Sequence, residues 1–183
     1  WSHTFSDWSQ IESPAPHGER FVHGMNLDWK RFVTEQTVDF CKHEVAPLRA
    51  VNPALPVTTN LMGTYEPLNY WKFADVLDVI SWDAYPTWHD PAGDLEQGMW
   101  IAFIHDLNRS LKGGKPFMLM ESTPSVTNWQ PVSKLKRPGM HLPAALQALA
   151  PGSESVPYFP WRTRPGGDQQ LPRPVVEHVG PEP

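Results

Sequence analysis

Hydrophobic and polar positions follow two different periods along the chain. In four segments, apolar residues recur every three or four positions, which is the spacing of a helix with one buried face. These segments lie near residues 26–48, 70–77, 95–111 and 140–149. Four short apolar runs, near residues 56–62, 78–84, 116–121 and 155–161, are typical of strands. Because strands and helices alternate, the pattern predicts an α/β fold with parallel strands and helices packed outside them.

Capping and breaking residues indicate where these elements end. Asn26 is a suitable N-cap for the first helix, and Gly113-Gly114 should end the third. Pro157 and Pro160 fall inside the last predicted strand, where proline cannot donate to the ladder, so that strand should pair weakly. The third helix is expected to present one apolar face to the core. That face comprises Met99, Trp100, Phe103, Ile104, Leu107 and Leu111.

Polar residues stand near the C-terminal ends of three predicted strands, the ends that carry the chemistry in barrels of alternating strands and helices. Glu121 ends an apolar run that starts at Phe117, so it either serves chemistry or simply begins a loop. Asn60 could reach a ligand or bond its own loop backbone. Asp83 and Tyr85 should point to the same side, since side chains alternate along a strand.

The composition narrows the class of protein. Of the 183 residues, 40% are hydrophobic and 19% are charged, which indicates one globular domain. The formal net charge of -5 and the lack of a basic block argue against nucleic acid as a partner. No apolar run approaches the roughly 20 residues of a membrane span. The single cysteine, Cys41, excludes an internal disulfide and a cysteine-rich metal site.

Two further groups of residues are expected to be structural. Most of the nine tryptophans should lie in the core, although a tryptophan ring is also a flat surface for sugars. Lys134, Lys136 and Arg137 form a small basic cluster, which is typical of a solvated loop rather than a binding patch.

Six ordered stretches carry a more specific signal. They are Thr58–Gly63, Asp78–Asp83 with Tyr85-Pro86, Lys115–Ser125, Asn128-Trp129-Gln130, Arg137–His141, and Tyr158-Phe159 with Trp161-Arg162. Together they resemble glycoside hydrolase family 42, the β-galactosidases. The opening Trp1–Ile11 is similar to the family's stretch after its fourth barrel strand, and the similarity runs to about Gly180.

This resemblance implies a fold and a set of partners. The fold is a partial (β/α)8 TIM barrel, roughly strands 5 to 8 with their helices, over residues 1–180, with 181–183 as a tail. The partners are a galactoside substrate, the upstream half of the barrel and further copies of the chain, since the family forms trimers. The compartment cannot be read from the residues, although the family favours the cytoplasm.

The resemblance also implies an activity, the retaining hydrolysis of terminal β-D-galactosides. The Met-Glu-Ser pattern places the catalytic nucleophile at Glu121, after the seventh strand. Trp129 is similar to the family's sugar-stacking residue. Asn60, Asp83 and Tyr85 would face the same pocket and bind substrate.

The sequence departs from the family in several places. The family's acid/base Glu follows an Asn after the fourth strand, and no Asn-Glu pair occurs here, so the chain alone should not hydrolyse galactosides. Pro160 stands where the family carries Gln, and Gln169 and Pro172 stand where it carries Glu and His. Neither a metal nor a cofactor is expected, because Cys41 does not match the clustered cysteines that bind zinc in some relatives.

Other interpretations stay open at the level of sequence. One is a non-catalytic remnant that binds galactosides or serves as a structural partner. Another is an unrelated α/β-barrel glycosidase, although Asn128-Trp129-Gln130 after Glu121 counts against it. A fragment, a decayed gene copy and a misread gene would all leave this pattern.

Overall fold

The computed structural model describes residues 4–14, 23–124, 127, 132, 134–162 and 175–176. The chain divides into two compact units. The first comprises Trp1–Leu55 and Tyr65–Val76, and the second comprises Pro56–Thr64 and Leu77–Pro183. No helix within the described ranges is long and apolar enough to cross a membrane.

The first unit is built on two helices, α1 (His23–Val51) and α2 (Trp71–Ala74). A short 3-10 helix, Trp8–Gln10, precedes them. Thr34 is buried on α1, and its hydroxyl accepts a 3.1 Å hydrogen bond from the backbone N–H of Asn69, just before α2. A polar residue can occupy this buried position because the bond satisfies its oxygen.

α1 is longer than the sequence pattern predicted. It begins at His23, so the prediction of Asn26 as its N-cap is wrong. Asn26 instead lies inside the helix, three residues after its first residue. α1 also continues past Pro47 to Val51, since a proline this close to the end removes only one bond of a long ladder.

The second unit contains a parallel sheet of three strands in the order β1-β2-β3. The strands are β1 (Asn60–Leu61), β2 (Ser81–Ala84) and β3 (Met118–Ser122). Within the described residues β1 pairs only with β2, so it is an edge strand, as expected. The predicted parallel α/β arrangement is therefore confirmed for this part of the chain.

β1 is much shorter than the predicted run of residues 56–62, because side chains take over its backbone partners. The N–H of Val57 donates to Oδ2 of Asp78 at 2.7 Å. The hydroxyl of Thr58 donates to the carbonyl of Val79 at 2.8 Å. Together with the backbone bond from the Asp78 N–H to the Val57 carbonyl at 2.9 Å, these bonds connect the same two segments without the regular ladder of a sheet.

Two helices accompany the sheet, α3 (Asp94–Leu111) and α4 (His141–Leu149), and a 3-10 helix, Pro91–Gly93, leads into α3. α3 packs against β2, and α4 packs against α3. Gly113 and Gly114 end α3 as predicted, with φ angles of 62° and 84° that suit glycine, and the Gly114 N–H bonds the carbonyl of Arg109 at 3.1 Å.

The buried face of α3 differs from the predicted one. Ile104 and Leu111 are buried, but Met99, Trp100 and Phe103 are exposed. Two polar residues, His105 and Asn108, are buried on α3, as is Ile101, and the His105 ring contacts Trp82 of β2. Apolar spacing alone did not reveal this face, because the helix carries apolar residues on more than one side.

The tryptophans also differ from expectation. Among those that the structure describes, Trp82 and Trp88 are buried, whereas Trp8, Trp29, Trp71, Trp100 and Trp161 are exposed. The prediction that most lie in the core is therefore wrong for the described part of the chain.

The fourth predicted strand, near residues 155–161, forms only isolated parallel bridges to the segment that contains β3. Ser153 pairs with Phe117, and Tyr158 pairs with Ser122. Between these bridges, the carbonyl of Pro157 accepts from the Ser122 N–H at 2.9 Å, but Pro157 has no N–H to return. The segment thus runs parallel to β3 without becoming a regular strand, which is the effect expected of its prolines.

Candidate functional site

A change of register places Glu121 beside Asp83. Trp82 on β2 pairs with Leu119 on β3, but the next residue, Asp83, pairs with Glu121. Met120 is therefore an extra residue on β3, and the irregularity shifts Glu121 by one position along the strand. Such irregularities re-aim side chains, often next to active sites. Without this one, Asp83 would face Met120 instead of a second carboxylate.

The Asn60 side chain connects both carboxylates. Its Nδ2 lies 3.0 Å from Oδ1 and 3.1 Å from Oδ2 of Asp83. The same nitrogen donates to Oε1 of Glu121 at 3.3 Å. These bonds go to side chains of the neighbouring strands rather than to the residue's own loop backbone, and a ligand contact of Asn60 stays a prediction. The three strand ends are thus joined by one amide group.

Tyr85 approaches Glu121 from the other side. Its hydroxyl donates to Oε2 of Glu121, so each oxygen of this carboxylate has its own donor. Burial, the hydrogen bond to Glu121 and the nearby charges of Glu121 and Asp83 all raise the pKa of Tyr85. The phenol therefore remains a proton donor at neutral pH. The expectation that Asp83 and Tyr85 share a side is confirmed, since both reach this cluster.

The carboxylates differ in their surroundings. Burial raises the pKa of Asp83 to about 6, the Asn60 hydrogen bond lowers it, and the charge of Glu121 raises it further. Both oxygens of Asp83 face the Asn60 amide. Glu121 is partly exposed at the end of β3, with one donor on each oxygen. A carboxylate held in this way presents fixed lone pairs to any group that enters from solvent.

A buried lysine, Lys136, bonds the backbone close to two residues of this cluster. Lys136 has an exposed fraction of 8%, and burial lowers its pKa to about 8. Its Nζ donates to the carbonyl of Pro86 at 2.6 Å and to that of Thr123 at 3.0 Å. The prediction of a solvated basic loop is wrong for this residue. No local signal separates it from the exposed Lys134, since only the tertiary structure buries one and not the other.

Arg137 is also part of the structure rather than of a free basic loop. Its guanidinium forms an ion pair with Asp94, the first residue of α3. Its backbone N–H donates to the carbonyl of Trp88 at 3.0 Å. Trp88 itself has a φ of 48°, an uncommon conformation for a bulky residue, and its N–H donates to Oε1 of Gln97 at 2.7 Å.

Some residues that the sequence analysis singled out are not among those that the structure describes. Trp129, Gln169 and Pro172 lie outside the described residues. Among the residues that are described, no group of three or more His, Cys, Asp or Glu could hold a metal ion. Cys41 is partly buried in α1, where burial and then the nearby Glu44 raise the pKa of its thiol.

Comparisons with known proteins agree with one another. The model of the glycoside hydrolase family 42, described as β-galactosidase, matches residues 1–183. The β-galactosidase BglY of Alicyclobacillus acidocaldarius is 64% identical over 180 residues, which are 98% of this chain and 26% of the relative. The β-galactosidase Pbg of Clostridium perfringens is 54% identical over 185 residues, covering 100% of this chain and 27% of the relative.

A solved structure is similar as well. The crystal structure of the β-galactosidase from Rahnella sp. R3 superposes with a TM-score of 0.92 at 57% identity, over 98% of this chain and 26% of that one. The chain thus spans about a quarter of the length of the relatives it matches.

Proposed function

Because this chain belongs to glycoside hydrolase family 42, the β-galactosidases, we propose that it forms the second half of a catalytic barrel that hydrolyses terminal β-D-galactosides. In this proposal β1, β2 and β3 are three of the last four barrel strands, and the bridged segment of residues 153–158 takes the place of the fourth. The parallel sheet with polar residues at its C-terminal strand ends supports this assignment, since these ends carry the active site in such barrels.

The proposed nucleophile is Glu121. One observation supports this assignment. Glu121 lies at the end of β3 and accepts a hydrogen bond from the Tyr85 hydroxyl on one oxygen and from the Asn60 amide on the other. In a retaining mechanism the carboxylate attacks the anomeric carbon and forms a covalent glycosyl-enzyme, which water then hydrolyses. Two neutral donors, one on each oxygen, hold the carboxylate in place.

Asn60, Asp83 and Tyr85 are proposed to bind the sugar from the same strand ends. Asp83 accepts a hydrogen bond from Asn60 and lies opposite Glu121 on the neighbouring strand. A sugar bound over Glu121 would therefore lie within reach of the Asn60 and Asp83 side chains. Trp129 is proposed to stack on the apolar face of the galactose ring, as its counterpart does in the family. The proposed chemistry uses these side chains alone and invokes no cofactor or metal.

The second carboxyl group is proposed to come from the other half of the barrel. A retaining enzyme needs an acid/base about 5–5.5 Å from the nucleophile. The family's Asn-Glu pair does not occur in these 183 residues. Asp83 is a poor substitute, since it belongs to the adjacent strand and is already bonded to the amide that holds Glu121. The proposed assembly contains the upstream half and further copies of the chain, with the cytoplasm as the favoured compartment.

A chimaera tests the proposal. This chain replaces the matching 180 residues of the Alicyclobacillus acidocaldarius relative, and the product, called the chimaera below, is assayed with lactose and with an aryl β-galactoside. We expect hydrolysis of both substrates, its loss in Glu121→Gln, and full activity in Glu154→Gln, which changes an exposed Glu of the same unit. An active Glu121→Gln variant would overturn the assignment.

The chain by itself is expected to behave differently. Without a general acid, whose help is typically worth about 10²–10⁴-fold, the leaving alkoxide must depart unprotonated. We expect no turnover of lactose, and at most slow labelling by an aryl galactoside whose leaving group needs little protonation. Lactose turnover at ordinary enzyme rates by the purified chain would contradict the proposed division of the site.

A further inference from the structure

Lys136 joins the two loops that follow the candidate site. Its Nζ donates at 2.6 Å to the carbonyl of Pro86, the residue directly after Tyr85. It also donates at 3.0 Å to the carbonyl of Thr123, which follows Glu121 by two residues. One ammonium group therefore connects the chain just beyond β2 with the chain just beyond β3.

The burial of this ammonium group calls for a physical reason. An ammonium group taken out of water loses hydration that only close partners can replace. Both hydrogen bonds that Lys136 makes among the described residues go to main-chain carbonyls. The ammonium group therefore holds two backbone segments instead of pairing with a carboxylate. Lysine suits this task, since its three N–H donors can serve several acceptors at once.

The segment that carries Lys136 is itself anchored. The next residue, Arg137, bonds the carbonyl of Trp88 through its N–H and pairs with Asp94 through its guanidinium. These contacts fix the backbone from which the Lys136 side chain extends. Ser122, the last residue of β3, is buried, as are Thr123 and Pro124 after it, so the chain is packed where Lys136 reaches it.

We propose that Lys136 is a positioning residue, which ties the chain after Tyr85 to the chain after Glu121 and thereby holds the Tyr85 hydroxyl on the Glu121 carboxylate. This inference rests on the proposed function of Glu121. Lys136 itself touches neither substrate nor the reacting atoms. Its effect on the reaction therefore passes through the geometry of the Tyr85–Glu121 contact.

A double-mutant cycle in the chimaera tests the inference. Lys136→Met removes the donors while keeping an apolar stem of similar length, and Lys134→Met changes an exposed lysine of the same loop as a control. We expect Lys136→Met to lower kcat/KM for the aryl galactoside by about tenfold, and Lys134→Met to leave it unchanged. In a Tyr85→Phe background the same substitution should cost less than about threefold, because the contact it supports is already gone.

A purely structural role would give a different result. If Lys136→Met lowers activity by the same factor with Tyr85 and with Phe at position 85, or leaves activity unchanged, the inference is overturned. If that variant does not fold, Lys136→Gln replaces it in the cycle, since its side chain is one bond shorter and cannot hold both carbonyls. Lys136→Arg keeps the charge and the donors and should restore most of the loss.

The same experiment separates this inference from the proposed function. A parent chimaera that fails to hydrolyse the aryl galactoside, or that stays active as Glu121→Gln, overturns the proposed function and the inference with it. An active parent that depends on Glu121, combined with additive effects of Lys136→Met and Tyr85→Phe, overturns the inference alone.

Discussion

Asp83 and Glu121 face each other on neighbouring parallel strands, although the strands change register immediately before them. The extra residue on β3 is what brings the carboxylates together, and the Asn60 amide donates to both. Burial, and to a smaller degree the charge of Glu121, disfavours the ionised form of Asp83. The two carboxylates therefore differ in their surroundings. Asp83 is bonded to Asn60 through both oxygens, whereas Glu121 is partly exposed to solvent.

The hydrogen bond from Tyr85 to Glu121 should contribute to catalysis. A hydrogen bond to a charged group is worth about 1.5–3 kcal/mol, so we expect Tyr85→Phe to lower kcat/KM of the chimaera on the order of 10- to 100-fold. Tyr65→Phe, which changes an exposed tyrosine, is the matched control. Steady-state kinetics with an aryl galactoside measures both. Equal activity of the two variants would show that the hydroxyl has no part in the reaction.

Asp83 should make the stability of the chain depend on pH. Burial raises its pKa in the folded state to about 6 from 3.8, so the folded state holds the proton more tightly between these values. Its contribution to stability is fully present below a pH of about 4 and is lost as the pH rises through about 6. Asp83→Asn removes the charge that becomes unfavourable at high pH.

The effect should be modest, because water screens a partly exposed carboxylate. We expect Asp83→Asn to raise the melting temperature by about 1–3 °C at pH 8 and not at pH 4.5. Asp75→Asn, at an exposed aspartate, should change neither value. A destabilised Asp83→Asn variant at pH 8 would mean that the ionised carboxylate is favourable where it lies.

His105 should have the opposite effect, at acidic pH. It is 1% exposed, with ring centroids 5.1 Å from Trp82 and 5.5 Å from Phe117. Burial lowers its pKa to about 4 from 6.5, against the opposing charge of Asp106. Since the folded pKa lies below the unfolded one, its contribution to stability is present above pH 6.5 and is lost as the pH falls toward 4.

Urea denaturation at two pH values measures this contribution. From pH 7 to pH 5 we expect the His105 contribution to the free energy of unfolding to fall by about 2 kcal/mol. His105→Phe should remove that part of the pH dependence, whereas His43→Gln, on an exposed position of α1, should retain it. A His105→Phe variant with unchanged pH dependence would show that the pKa of this imidazole does not differ between the folded and the unfolded chain.

The sequence predicted which strand ends meet in the cluster, but not the bounds of the elements that carry them. Alternation of buried strands and helices is a strong signal, so the parallel order and the polar strand ends at Asn60, Asp83 and Glu121 could be anticipated. The register shift next to Met120 could not, because it depends on how two distant segments pair. The assignment of Glu121 as nucleophile came from resemblance to the family and not from periodicity.

Other features depend on tertiary contacts that leave no local pattern. The buried position of Lys136 is held by hydrogen bonds to the carbonyls of Pro86 and Thr123, which lie 50 and 13 positions away in sequence. The short β1 results from side-chain bonds of Asp78 and Thr58 that replace its ladder. The exposed Trp100 on α3 belongs to an apolar stretch that spacing alone assigned to the core.

Covalent capture is the most direct test of the central claim, that Glu121 is the nucleophile of a retaining β-galactosidase site. The chimaera is treated with a 2-fluoro β-galactoside that carries a good leaving group, and the labelled peptide is identified by mass spectrometry. The account predicts a label on Glu121, no label in Glu121→Gln and an unchanged label in Glu154→Gln. A label on Asp83 or on any other carboxylate would contradict it.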